Sequence, residues 1–305
     1  MLHRILKELV EQSLVPSFDC RVYRDGKSVF FERFPLEGPD LVYDTASLTK
    51  PLVTFPLVQK SLGRLELPLM DILPEAGIQA SLIELLGHRA GLKPWLPLYL
   101  FRESYLDSIR QRGLDAVGNA ETPTYSCLGY ILLSRAVEKA VGTRFSEIVR
   151  EFLRGFPGCE INPGPRPDVA PTEHGNQFEL KLSEEFVKTP DPSHFRLGRD
   201  IHGETHDLNA FSDGGISGNA GLFATANGAM ALLQALSGME DAFLPLMQGG
   251  GYHYHLGFTG TGIAVSNNRR TAVAFLSNRV HPVVPSGDFS AVRHKIFRAA
   301  MEMFA

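Results

Sequence analysis

Three cysteines in 305 residues, Cys20, Cys127 and Cys159, are too few and too scattered for a disulfide framework. There is a single tryptophan, Trp95, and no apolar stretch approaches the ~20 residues of a membrane span. No internal repeat or low-complexity run divides the chain. Charge of one sign is also lacking: the formal net charge is −4 and the pI is near 6.2, which argues against nucleic-acid and acidic-membrane partners. What is present is an ordinary globular composition, 44% apolar and 21% charged, long enough for one large domain or two intergrown ones. The N-terminus does not read as a secretory leader. Leu2, Ile5, Leu6, Leu9 and Val10 recur at helical spacing with Arg4, Lys7, Glu8 and Glu11 between them, the pattern of an amphipathic helix. The expected compartment is the cytoplasm, with a periplasmic or secreted location the alternative for a trimmed chain.

Beyond this helix, 19–24 and 28–34 read as strands joined at Asp25-Gly26, a hairpin signal because both residues tolerate positive φ. Residues 81–86 and 126–141 carry helical periodicity, and 157–171, with five prolines, reads as an irregular surface loop. Strand patterns return at 251–257, 263–266 and 271–277, and a helix is expected over 289–304 with Val292, Ile296, Ala299, Ala300 and Met303 on one face. The fold class predicted is therefore α/β (α+β). Residues 1–58 and 245–305 form one antiparallel sheet domain, 59–244 form an inserted, mostly helical domain, and the active site lies at their junction.

The segment Asp44-Thr45-Ala46-Ser47-Leu48-Thr49-Lys50-Pro51 holds Ser-x-x-Lys. A helix opening at Ser47 puts Lys50 on the same face within reach of the hydroxyl, and Pro51 fits only its first turn. The helix N-terminus also offers N–H groups to a developing oxyanion. To act as a base near neutrality Lys50 needs its pKa lowered by roughly three units, within the range that burial supplies. Taken alone the motif is equally a capping serine beside a solvated lysine.

Two further segments shift that balance. Tyr125-Ser126-Cys127 leads into a helix, and His255-Leu256-Gly257 ends a strand followed by Phe258-Thr259-Gly260-Thr261. On that strand His253, His255 and Gly257 share one face and Tyr252, Tyr254 and Leu256 the other; a glycine there allows close approach of substrate to the backbone. Ser-x-x-Lys, then Tyr-x-x, then a basic residue-x-Gly strand resembles the serine β-lactamase and penicillin-binding-protein family, in its branch of class C β-lactamases, D-alanyl-D-alanine peptidases and esterases. Leu85 to Leu92, His206 to Ala210 and Gly218 to Ala226 resemble further segments of that family. The resemblance implies an acyl-enzyme on Ser47, with Lys50 and Tyr125 sharing the proton transfers. It also implies an oxyanion hole from the backbone N–H groups of Ser47 and Phe258, and substrate contacts from Cys127, His255, Leu256 and Gly257. No cofactor or metal is implied, and the partner is a small-molecule acyl substrate.

Three departures qualify the substrate. Cys127 stands where the family has Asn, Leu256 where it has Thr, and Arg89-Ala90 where it has a small hydroxyl pair. A thiol donates and accepts poorly, and His255 attracts a carboxylate less reliably than lysine. Ester or unusual amide substrates are therefore expected ahead of β-lactams, with a true class C-type β-lactamase or peptidase as one alternative and a catalytically impaired binding protein as another. Further readings stay open. Cys127 is either a nucleophile or a small buried residue, His202/His206 and His253/His255 are metal ligands or structural histidines, and Trp95 lines the cleft or packs. Gly260-Thr261-Gly262 resembles a nucleotide loop only superficially. Cleft shape is assigned to the loops at 93–124 and 157–215.

Overall fold

The computed structural model describes residues 1–114 and 123–304. Nine strands, β1 (Phe18–Arg24), β2 (Lys27–Phe34), β3 (Tyr43–Asp44), β4 (Cys159–Glu160), β5 (Phe223–Ala224), β6 (Met247–Gln248), β7 (Tyr252–Leu256), β8 (Gly262–Ser266) and β9 (Thr271–Ser277), form two sheets among these residues. The larger has six strands in the order β2-β1-β9-β8-β7-β6, and the smaller has the order β3-β5-β4. Every pairing within them is antiparallel. The α/β class with an antiparallel sheet built from both ends of the chain is thus as expected.

Local signals account for the hairpin. Asp25 and Gly26 take φ values of +49° and +77°, which turns β1 into β2 with the twist the strands require. The expected loop at 157–171 is not wholly irregular: Cys159 and Glu160 pair with Ala224 and Phe223, because Phe223 and Val169 form a small buried cluster with Val42 beneath them.

At its centre, along β9, the large sheet is buried on both faces, and strand alternation assigns each residue. On β9, Ala272, Ala274 and Leu276 join the main core made by the helical part of the chain. Val273 and Phe275 face the second core, where Leu2, Leu6 and Leu9 of the first helix meet Ile296, Phe297, Ala299 and Ala300 of the last. The first helix, Leu2–Glu11, and the last, Ser290–Met303, therefore cover one face. On the last helix Met303 is exposed rather than buried, while Phe297 and Arg293, missing from the expected stripe, are buried. No helix among the described residues is long and apolar enough to cross a membrane.

The other face carries the helical part, centred on the buried helix Cys127–Val141. The chain at 217–222 crosses this helix at backbone contact. A Cβ on Gly218 would lie 1.8 Å from Tyr130 O, while Thr54 Oγ1 donates 2.7 Å to Gly218 O. Gly218→Ala is expected to destabilise the protein by about 1–3 kcal/mol, as overpacking of a close interior does, read from the midpoint of urea denaturation at an unchanged slope.

Candidate active site

The Ser47 segment is fixed ahead of the helix that follows it. Thr45 N and Oγ1 both bond Leu222 O, at 2.9 and 2.8 Å. Asp44, buried, accepts from Ala46 N at 2.8 Å and from His206 N at 2.8 Å. Ala46 is held at φ +50°, a strained conformation for a residue with a Cβ that persists only when surroundings impose it. The expected single helix from Ser47 is instead a 3₁₀ turn, Ala46–Leu48, followed by a π-helical turn, Lys50–Thr54, and an α-helix, Phe55–Leu62. Pro51 and Pro56 supply no N–H, and the wide turn lets Phe55 N reach Lys50 O instead.

The side chains nonetheless meet. Lys50 Nζ lies 2.9 Å from Ser47 Oγ, 3.1 Å from Asn219 O and 3.4 Å from Cys127 Sγ, and Lys50 is 0% exposed. An ammonium has three donors, and three acceptors are in place. Burial pulls the Lys50 pKa down, but negative charge available on Cys127 and Tyr125, and Asp207 further off, outweighs it, so the group sits above its ordinary value. The depressed lysine expected from sequence is therefore not what these surroundings give. Burial raises the Tyr125 phenol and the Cys127 thiol as well, and these three neighbours titrate as one coupled group. A raised thiol is the opposite of an activated nucleophile.

Tyr125 is 37% exposed as a residue, while burial dominates at its hydroxyl. Its ring packs 4.5 Å from His88 and 5.9 Å from His255. His88 Nδ1 accepts from Ser126 N at 3.1 Å, and Ser126 Oγ caps the next helix at Leu128 N. Burial, followed by Lys50, lowers both histidines, His88 to about 3 and His255 well below its usual range. His255 is consequently a neutral neighbour of Tyr125, not a positive one; its Nδ1 donates to Leu256 O at 3.1 Å and its Nε2 is buried without a partner.

Gly257 is needed for a reason internal to the protein. A Cβ there would lie 2.0 Å from Thr261 Oγ1 and 2.5 Å from Thr45 O, so the close approach is by the nucleophile's own segment. Thr261 Oγ1 bonds Thr45 O at 3.0 Å and Thr259 Oγ1 bonds Asp44 O at 2.7 Å, which locks the turn carrying Phe258 against Ser47's turn. Leu256 points away, into the core beneath the terminal helices, and makes no side-chain contribution to the cleft.

A cavity of about 250 Å³ opens on Ser47. Tyr125, Cys127 and Phe258 line it with Pro94, Trp95, Phe178, Leu182, Ala220, Glu179, His206 and Asp207. Trp95 thus both borders the cleft and packs on Phe186 at 5.9 Å. The wall comes from both loops assigned to cleft shape; of the first, residues 115–122 lie outside the described residues. Phe178 and Leu182 were legible as an i, i+4 pair, and Asn219 lay within a motif already singled out, whereas its carbonyl's contact with Lys50 had no sequence signal. The remaining histidines are engaged elsewhere: His202 Nε2 with Val169 O at 2.8 Å, His206 Nε2 with Glu173 at 2.8 Å, and His253 stacked on Phe243 at 4.0 Å. Asn209 bonds Leu96 O and Leu98 N, both at 2.9 Å.

A serine in contact with a buried lysine, with a phenol beside them, on a mixed α/β frame is the arrangement of a serine hydrolase. The chain belongs to the beta-lactamase family, whose model matches residues 2–294. Among solved structures it is similar to EstCE1, "a hydrolase with promiscuous acyltransferase activity", at TM-score 0.70 and 13% identity, covering 98% of this chain and 97% of that one. A class C beta lactamase from Rhodobacter sphaeroides aligns at TM-score 0.66 and 15% identity over 98% and 99%. SurE with D-Leu aligns at 0.67 and 20% over 99% and 74%. Among curated proteins, none matches the chain in sequence.

His88 gives a pH signature. Its folded pKa of about 3 lies below the ordinary 6.5, so the unfolded chain binds the proton first. Its stabilising contribution is complete above about pH 6.5 and is lost as pH falls towards 3. Buried carboxyls such as Asp44, raised by burial, act in the opposite direction, so the readout is a difference. Between roughly pH 7.5 and 5, His88→Gln is expected to lose less unfolding free energy than the native protein in urea titrations.

Proposed function

We propose that the protein hydrolyses esters, or activated amides, of compact apolar acyl groups through an acyl-enzyme on Ser47. The observation that carries this reading is the 2.9 Å contact between Ser47 Oγ and Lys50 Nζ at the mouth of an apolar cavity. At about 250 Å³ the cavity is below the ~300–1,000 Å³ of common ligand pockets, which favours a short acyl chain. Among the described residues its lining includes no lysine or arginine, and its acidic members are Glu179 and Asp207. Burial, with Asp207 adding to it, holds the Glu179 carboxyl well above the usual range. A substrate carboxylate, as in a β-lactam or a peptidyl C-terminus, finds no exposed cation along these walls: the Lys50 ammonium is fully buried with its donors engaged by Ser47, Asn219 and Cys127, and His255 is neutral. The hydrolase described as EstCE1 agrees with an esterase-like reading.

In this reaction Ser47 Oγ attacks the carbonyl carbon, its proton passing to the Lys50–Tyr125 pair. That pair returns it to the leaving alcohol or amine and later takes one from the deacylating water. The N–H groups of Ser47 and Phe258 receive the oxyanion. Ala46 N bonds Asp44 and Leu48 N bonds Thr45 O, leaving the Ser47 N–H between them. Because Lys50 rests as an ammonium, attack requires the coupled group to lose a proton.

Ser47→Ala is expected to abolish hydrolysis of a short-chain p-nitrophenyl ester, and Lys50→Met to lower kcat by about 10²–10⁴. Retained turnover in Ser47→Ala sinks the reading, and a native protein without Ser47-dependent turnover points to a ligand-binding role. Across an acyl-chain series, Leu182→Trp is expected to raise KM steeply for longer chains while sparing acetyl esters. A cephalosporin turned over as fast as the best ester would overturn the ester preference. The rate is expected to climb with pH on the alkaline side of neutrality, following the raised Lys50; a plateau reached in acid would contradict a resting ammonium.

A further inference from the structure

The last helix carries a buried cation that the chemistry above does not use. Arg293 is 8% exposed, and the ion pairs among the described residues include none to it. Instead its Nη1 donates at 2.7 Å to Gly257 O and at 2.7 Å to Thr261 O, while its Nε is buried without a partner. Gly262 lies beside it and makes room for the neighbouring Phe297, since a Cβ there would stand 2.8 Å from Phe297 Cζ.

The two carbonyls are not arbitrary. Gly257 to Gly260 form a tight turn in which Gly260 N bonds Gly257 O at 3.2 Å, and Gly257 N bonds Thr261 O at 2.9 Å. Gly257 O belongs to the same peptide unit as the Phe258 N–H. In a trans peptide these two groups point in opposite directions, so fixing the oxygen towards the last helix fixes the N–H away from it. Thr259 and Thr261 already anchor the turn to Asp44 O and Thr45 O. The rotation of the first peptide of the turn is left to the two donors on Gly257 O, the 3.2 Å bond from Gly260 N and the shorter, charged one from Arg293 at 2.7 Å.

We propose that Arg293 is a positioning residue for the oxyanion hole, clamping the Gly257–Phe258 peptide so that the Phe258 N–H faces Ser47. This rests on the reading of Ser47 as nucleophile and of Phe258 N–H as an oxyanion donor. A neutral donor could satisfy two carbonyls without taking a charge out of water, so hydrogen bonding alone does not account for a guanidinium here. A cation at the oxygen end polarises the amide and strengthens its N–H as a donor. Burial, aided by Arg279, lowers the guanidinium only to about 10, and it remains charged at neutral pH.

The test uses the full-length protein, active-site titrated, with p-nitrophenyl acetate. Arg293→Met is expected to lower kcat by about 10- to 100-fold, less than the ~10²–10³ lost when an oxyanion donor is removed outright, with KM within about threefold. Affinity for a boronic acid, which becomes tetrahedral on Ser47, is expected to fall in step with kcat/KM, while affinity for a planar amide of the same acyl group holds. Arg293→Lys, whose ammonium can reach the same two carbonyls, is expected to recover most of the loss. The inference is overturned if Arg293→Met keeps kcat and boronate affinity while Ser47→Ala remains inactive, or if both ligands weaken equally. Should Arg293→Met fail to fold, Arg293→Gln, which is polar but carries no charge, decides: boronate affinity reduced more than amide affinity supports the clamp, and affinities unchanged or reduced equally overturn it. Turnover surviving in Ser47→Ala would instead remove the nucleophile reading, and the clamp with it.

Discussion

A lysine sealed from solvent organises this protein. Taking an ammonium out of water costs several kcal/mol unless the interior answers each of its donors, and at Lys50 the answer comes from three separate stretches of chain. Ser47 Oγ, Asn219 O and Cys127 Sγ converge from the nucleophile's turn, the crossing loop and the head of the central helix. Displacing any of them leaves a buried charge short of a partner, so the three segments are held in one arrangement. The strained Ala46, the π turn forced by two prolines and the backbone contact at Gly218 are the local distortions through which that convergence is achieved.

The same cluster links stability to reactivity. Lys50, Tyr125 and Cys127 share the consequences of every proton gained or lost, while the two histidines beside Tyr125 are kept neutral by burial and by the lysine's field. The resting site is poised on the acidic side of its own chemistry, with a positive charge next to the serine. Such a charge helps the oxyanion and hinders proton abstraction. The balance between them is set by the apolar cavity walls, which exclude water and strengthen both effects.

Much of this was legible in the sequence because the informative signals were local. Asp25-Gly26 named its hairpin, alternation at 271–277 placed a strand, and Ser47 with Lys50 gave a pair three residues apart whose reach hardly depends on the kind of helix between them. The signals failed where the determinant was non-local. Pro51 was read as a first-turn proline, while the π turn depends on Pro56 as well. Gly257 was read as room for substrate, whereas the occupant is Thr45 O. Lys50 was expected to be depressed, since burial can be guessed from a motif but the acceptors that oppose it cannot. Leu256 was grouped with the cleft by its neighbours, although strand alternation had already turned it away.

One consequence follows from how the larger sheet is closed. The serine is contributed near the start of the chain, yet β1 pairs with β9, and the turn that faces the serine lies between β7 and β8. Those partners are made long after Ser47 in synthesis. A nascent chain therefore carries Ser47 and Lys50 through a long stretch of synthesis without the turn that packs against their segment. Long-range pairing of this kind slows folding, and here the surroundings of Ser47 are complete only once β1 has met β9.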